Sequence, residues 1–363
     1  MIGMVPSSRR VVVYGAYGHT GRFVTAELCR RGLVPILSGR DPGKLAAFGA
    51  QHPDLELWPA AIGNRRSLER AVSGAAAVIN CAGPFMDTAQ PVADAAIRSG
   101  VHYLDVSAEQ AAVQAIFRQH ADSARAAGVA VVPAMAFYGG LADLLATSAM
   151  GDWPTADEIT VAVALDRWWP TEGTRRTGQR NTAQRLVVTD GRLTPVPDPP
   201  LTRTWPFPDP FGPQQTVGIP FSEIVTMVTH LRVPEIHSFI NGAPLQDLRD
   251  PATPTPEAID ETGRSAQRFM VDVVARNGTS ERRITASGRD IYAVTAPIVV
   301  EAAVRILDGR SSTVGVAAPG EMFDAADVLD ALSPDPLTIT RSAGTRHRCK
   351  SEVCVAATSP NRY

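Results

Sequence analysis

Lysine is almost absent from this chain of 363 residues: only Lys44 and Lys350 occur, and arginine carries the basic charge. That bias reads as genome composition rather than as function. Neither sign of charge is in excess. Lys and Arg total 35 against 37 for Asp and Glu, a formal net charge of −2, which excludes a generic nucleic-acid binder. Long hydrophobic runs are missing. No stretch approaches the roughly 18 apolar residues of a membrane span, and Met1–Arg10 lacks the apolar core of a signal peptide. The four cysteines, Cys29, Cys81, Cys349 and Cys354, are too few and scattered for a disulfide scaffold. The expectation is a cytoplasmic protein in a reducing compartment. Metal and hydrolase signatures are absent too. There is no HExxH, no GxSxG and no Walker lysine, and Cys349 and Cys354 with His347 have poor ligand spacing. No metal is expected.

What is present is ordinary globular composition, with 44% hydrophobic and 20% charged residues, and length for about two domains. The first 135 residues alternate strands and helices. RRVVVY (9–14) is a β-branched run suited to a buried parallel strand, and residues 20–31 follow with helical spacing. LVPILS (33–38), 55–59, AAVINC (76–81), VHYLDV (101–106) and VAVVP (129–133) are further strands with helices between them. Such alternation specifies an α/β fold, a doubly wound parallel sheet of the Rossmann type. The middle changes character. ITVAVAL (159–165) and FMVDVVA (269–275) alternate as antiparallel strands. The stretch 195–220, with WPFPDPFGP, is either a wall over a pocket or plain packing. Residues 295–307 return to helical spacing, and the tail from about 341 to 363 is expected to be disordered.

The sharpest motif is Gly15-Ala16-Tyr17-Gly18-His19-Thr20-Gly21, between the first strand and the first helix. Gly15 allows the turn, Gly18 lets the backbone approach a pyrophosphate, and Gly21 lets helix and strand pack closely. The helix start then offers free N–H groups to the anion. His19 lines the cofactor in this reading rather than acting as an acid. An NAD site usually ends its second strand in Asp or Glu for the ribose. Here Ser38-Gly39-Arg40 stands there, and Arg40, assisted by Ser38 and Lys44, suits a 2′-phosphate. The expected cofactor is therefore NADP(H); the alternative for Arg40 is a solvated turn residue. The fourth strand ends in Asn80-Cys81-Ala82-Gly83-Pro84-Phe85, small enough for a cofactor to cross the sheet edge. Cys81 has no evident basic partner and reads as packing.

GAYGHTG, SGR, INCAGPF and GVHYLDV together resemble the saccharopine-dehydrogenase-like (saccharopine reductase-like) NADP-binding oxidoreductases, a group that includes trans-acting enoyl reductases. The resemblance extends through VPAMAFYGGLADLLA (132–146) and GRDIY (288–292). It implies a Rossmann domain (1–135), an inserted α/β substrate domain with an antiparallel sheet (136–288), and a return segment (289–340) that packs on the first domain. It also places substrate contacts in RWWPTEGTRRTGQRN, at Trp168, Trp169, Thr174, Arg175 and Arg176. Two departures stand out. Tyr138 occupies the place of an acidic substrate-holding residue, which argues against saccharopine and against zwitterionic amino acids. Ala61 stands where many members carry an adenine-side Asp.

Hydride transfer needs positioning and one proton source. Tyr138 and Asp143, after the sixth strand, and Asp105, at the end of the fifth, are the catalytic candidates. Phe85 and Glu109 join the substrate side. Asp105 can equally cap a helix, and Tyr138 can equally be a buried tyrosine with a satisfied hydroxyl. The expected activity is NADPH-dependent reduction of a C=N, C=C or C=O bond in a small specialised-metabolite or lipid-type substrate. The alternative is an NADP(H)-binding accessory or sensor protein without turnover. Expected partners are a small-molecule substrate, no nucleic acid and no membrane insertion, with a homodimer left open.

Overall fold

The computed structural model describes residues 9–345. Its first sheet contains β1 (Arg10–Tyr14), β2 (Val34–Gly39), β3 (Glu56–Pro59), β4 (Ala77–Asn80), β5 (His102–Asp105) and β6 (Ala130–Val132). The helices between them are α1 (His19–Arg30), α2 (Pro42–Gly49), α3 (Arg65–Val72), α4 (Phe85–Arg98) and α5 (Gln110–Ala127). Val11, Val12 and Val13 are fully buried, as a central strand covered on both faces requires. Asp41 caps α2, its Oδ1 accepting from the Lys44 N–H at 3.0 Å.

The second half holds α6 (Ala142–Met150), β7 (Glu158–Leu165), α7 (Glu172–Arg180), β8 (Leu186–Thr189), β9 (Arg192–Pro195), β10 (Thr202–Pro206), β11 (Pro213–Gly218), α8 (Glu223–His230), β12 (Glu235–Asn241), α9 (Ala243–Arg249), β13 (Arg268–Asn277) and β14 (Ser280–Arg289). Then come α10 (Thr295–Leu307), β15 (Gly315–Val316), α11 (Pro319–Met322), α12 (Ala325–Ala331) and β16 (Thr338–Thr345).

The parallel sheet has the order β15-β6-β5-β4-β1-β2-β3. The short β15 is a seventh strand that sequence patterning did not show. The larger sheet runs β10-β11-β12-β7-β13-β14-β16, with β8 and β9 attached at β12. β7 and β13 pair antiparallel, Leu165 opposite Phe269, as their alternation predicts. β12 lies parallel to β7, so this sheet is mixed rather than purely antiparallel.

Two further expectations change. Residues 341–345 are not a disordered tail: they belong to β16, which pairs antiparallel with β14. A polar strand such as TITRSAGT carries little hydrophobic pattern, so only its partner reveals it. The remainder of the expected tail lies outside the described residues. The aromatic stretch 195–220 is packing: Trp205 and Phe207 are buried against Ala162, Ala164 and Met270.

α10 packs on α1 and so covers the first domain from a distant part of the chain. One core runs from Val11 and Leu37 through Ile298 of α10 to Val163 and Val271 of the second sheet.

Candidate active site

A cleft of about 910 Å³ opens at the carboxyl ends of the parallel strands, and both halves of the chain line it. Its floor is the β1–α1 loop. A Cβ on Gly21 would stand 2.2 Å from the Gly15 carbonyl oxygen, so only glycine lets α1 sit this close to the turn. Gly18 begins α1 without any side-chain cap, which leaves the first N–H groups of the helix free. Gly15, Tyr17, Gly18, His19 and Thr20 line the cleft. His19 Nε2 is buried without a hydrogen-bond partner. Burial lowers the His19 pKa, so the ring is neutral near neutral pH. A glycine cradle, free helix N–H groups and an orphaned ring nitrogen fit a dinucleotide pyrophosphate.

At the end of β2, Gly39, Arg40 and Lys44 line the same cleft. Ser38 does not reach it: its hydroxyl donates to the Trp58 carbonyl at 2.7 Å, and the side chain is buried. The nearest carboxylate, Asp41, is committed to capping α2. At the end of β4, Cys81, Ala82, Gly83, Pro84 and Phe85 line the cleft. Burial raises the Cys81 thiol pKa, with Asp105 adding to it, so Cys81 stays protonated. Asn80 is not in the lining. Its Oδ1 accepts from the Ala82 N–H at 3.0 Å and its Nδ2 donates to Thr88 at 3.2 Å, which fixes the strand end.

The opposite wall is aromatic. Tyr138 stacks on Phe221, with ring centroids 4.1 Å apart, and lies 5.9 Å from Trp168. It sits in a tight turn, Phe137–Leu141, that includes Gly139 at φ +96°. A Cβ on Gly139 would meet the Ala134 oxygen at 2.6 Å. The Tyr138 hydroxyl is buried and has no hydrogen-bond partner. Burial, with Tyr292 and Glu223 adding to it, raises its pKa well above the ordinary value, so the proton stays on the oxygen. Arg185 lies over Phe221, its guanidinium carbon 4.8 Å from the ring centroid, and donates to the Pro220 carbonyl at 2.6 Å.

Residues 11–132 match the family model for the saccharopine dehydrogenase NADP binding domain. Residues 11–132 are thus similar to an NADP-binding domain, and the match supports NADP(H) as the cofactor.

The chain is 28% identical over 225 residues to a saccharopine dehydrogenase-like oxidoreductase of Bos taurus, covering 54% of this chain and 52% of that protein. The Homo sapiens counterpart is 27% identical with the same coverage. The lipid droplet localized protein of Caenorhabditis elegans is 31% identical over 146 residues, 37% of this chain and 34% of its own. The chain thus spans about half the length of the first two relatives. The fold matches apo saccharopine dehydrogenase (L-Glu forming) from Saccharomyces cerevisiae, with TM-score 0.64 and 12% identity, over 92% of this chain and 100% of that one. Among the described residues, no helix is long and apolar enough to cross a membrane, and no cluster of three His, Cys, Asp or Glu is placed to hold a metal.

Several expected site residues stand elsewhere. Asp105 is buried and is not in the lining. Its Oδ1 accepts from the Ser107 and Ala134 N–H groups, and its Oδ2 accepts from Tyr103 at 2.9 Å. It braces the crossover instead of facing substrate. Glu109 lines the cleft, but both its oxygens are taken by the Phe85 and Met86 N–H groups at the start of α4. Trp168, Thr174 and Arg176 line the cleft, whereas Trp169 and Arg175 do not. Arg167 stacks on Trp169, and Arg175 donates to the Asp250 and Thr253 carbonyls. Adjacent residues on a turn and a helix point apart, so the pairs Trp168–Trp169 and Arg175–Arg176 could not both face one cleft. Tyr292, Thr171, Thr177 and Arg185 line it without having been singled out. The family segments contained all but Arg185, but no local pattern marked which side chain turned inward.

Asp143 is fully buried and outside the cleft. Its Oδ1 meets His230 Nε2 at 2.8 Å and ties α6 to the end of α8. Burial opposes charge on His230, but the Asp143 carboxylate, their hydrogen bond and Glu321 outweigh it and raise the His230 pKa. A raised pKa in the folded state stabilises fully below the unfolded value of about 6.5, and the gain is lost as pH rises through the folded value. His230→Gln is therefore expected to cost about 1 kcal/mol below pH 6.5 and progressively less in alkali. Urea melts of both proteins across pH measure this; a cost that grows with pH would contradict it.

Proposed function

We propose that the chain is an NADPH-dependent reductase that delivers hydride to a C=N, C=C or C=O bond of a small specialised-metabolite or lipid-type substrate other than saccharopine. One observation carries this reading: Tyr138, whose buried hydroxyl is protonated and unpartnered, lines the cleft that the nucleotide loop also lines. A buried hydroxyl without a partner is costly to maintain, and a substrate oxygen, nitrogen or incipient carbanion supplies the missing acceptor.

The cofactor supplies the hydride. Gly15, Gly18 and the free N–H groups of α1 hold its pyrophosphate, and Arg40 with Lys44 holds its 2′-phosphate. Tyr138 gives the proton. Trp168 and Phe221 shape an apolar, water-poor surface beside it, which suits a flat or aliphatic acceptor. The carboxylates that line the cleft are engaged: Glu109 by two N–H groups, Asp41 by the Lys44 N–H, Glu172 by Arg176 and Asp87 by Arg180. That leaves little to hold an ammonium group, which supports a substrate other than an amino acid.

The test is a pair of titrations with NADPH and NADH, followed by NADPH oxidation against aldehydes, cyclic imines and enones. The expected result is tight NADPH binding, much weaker NADH binding and turnover with one acceptor class. Binding without turnover of any class would favour an accessory or sensor protein, and binding of neither cofactor would remove the reductase reading.

A further inference from the structure

α7 forms part of the cleft wall although none of its nine residues is buried. No apolar stripe anchors it, so polar bonds hold it in place. At its start, the Tyr292 hydroxyl oxygen accepts from Trp168 Nε1 at 3.0 Å and from the Thr171 N–H at 3.4 Å. Those two donors fill its lone pairs, so its own proton goes to Thr174 Oγ1, 2.9 Å away. The Thr174 and Thr171 hydroxyls share a further hydrogen bond at 3.0 Å. At its end, Arg180 grips both carboxylate oxygens of Asp87 on α4. The helix is thereby strapped from the second domain onto the first, across the carboxyl ends of the parallel strands.

Thr171, Thr174 and Thr177 are spaced three apart, share one side of the helix, and all line the cleft. Thr177 Oγ1 lies 3.2 Å from the point where a Cβ on Gly83 would stand. Gly83 follows β4, which flanks β1 on the side opposite β2 and Arg40. A dinucleotide lying across this sheet edge puts its adenosine on the β2 side and its nicotinamide riboside on the β4 side.

We propose that the threonine face of α7 binds the nicotinamide riboside half of NADP(H), with Thr177 hydrogen-bonding that half directly and the Arg180–Asp87 pair holding the helix down on it. The second domain thus supplies cofactor contacts as well as substrate contacts. Tyr292 is a positioning residue that fixes which way the threonine hydroxyls point. The inference rests on the NADP(H) reading above and deepens it.

Two probes separate the halves. NADPH carries the nicotinamide riboside; 2′,5′-ADP carries the adenosine and the 2′-phosphate without it. Thr177→Val keeps the shape of a half-exposed side chain, so the fold is not at stake. It is expected to weaken NADPH about three- to tenfold, the worth of one hydrogen bond, and to leave 2′,5′-ADP unchanged. Arg180→Ala is expected to raise the NADPH dissociation rate in stopped flow by a similar factor, again without effect on 2′,5′-ADP. Unchanged NADPH binding in both variants, or equal losses for both probes, would overturn the proposal. A wild-type protein that binds neither probe would instead remove the cofactor reading itself, so the two failures are distinguishable.

Discussion

Tyr138→Phe is expected to lower kcat by about 10²-fold or more while leaving NADPH affinity unchanged and the folded protein as stable as before, or more so. The combination is diagnostic. The Tyr138 hydroxyl is buried and makes no hydrogen bond, so removing it deletes an uncompensated polar group and no contact within the protein. The ring keeps its stacking on Phe221 and its approach to Trp168. A residue kept only for packing would favour phenylalanine here. Maintaining the hydroxyl against its own desolvation makes sense where a substrate completes it, a pattern in which activity and stability pull apart. Thermal unfolding and steady-state kinetics on the same preparation give both numbers. An unchanged kcat would assign Tyr138 to packing and leave the proton source open.

The second large effect concerns Arg40. Arg40→Ala is expected to weaken NADPH by about 1.5–3 kcal/mol, the range for a hydrogen bond to a charged group, while NADH binding barely moves. Arg40 lines the cleft at the end of β2 and, among the described residues, makes no ion pair. The one carboxylate beside it, Asp41, is bound to the Lys44 N–H, and Ser38 is bound to Trp58. Arg40 and Lys44, with Arg22 beside them, are the cations that line this corner, and Arg40 stands at the strand end where a 2′-phosphate would lie. The NADPH preference should also fall as salt screens the pair. Equal losses for the two cofactors would place Arg40 on the shared pyrophosphate or adenosine instead.

The nucleotide half was legible in the sequence because its signals are local. A β-branched strand, glycines at fixed offsets and a helix start follow one another within a few residues, and each has one physical reading. The cleft wall was only partly legible because its contacts are distant. EGTRRTGQR has no apolar residue to set a face, so the inward turn of Thr174 and Thr177 is decided by Tyr292 and Asp87, about a hundred residues away in either direction. Asp105 misled for a related reason. A carboxylate at a strand end looks like a catalytic group, yet here the crossover backbone folds back onto it and consumes it. Trp169 and Arg175 misled because a sequence motif shows neighbours together that a helix or turn points apart.

The way the chain shuttles between its two sheets also sets when each can form. After β6 it departs for the second domain, and it comes back for α10 and β15 before leaving once more for β16. During synthesis α1 keeps an uncovered face until α10 has emerged, and the parallel sheet keeps an open edge at β6 until Val316 has. The second sheet likewise waits for β16 to join β14. The parallel sheet is thus completed by chain that follows the whole second-domain insertion, so residues up to β6 alone lack one of its seven strands. A product ending anywhere between β6 and β15 exposes strand edge and apolar helix surface together, which is the composition of an aggregate seed or a protease substrate.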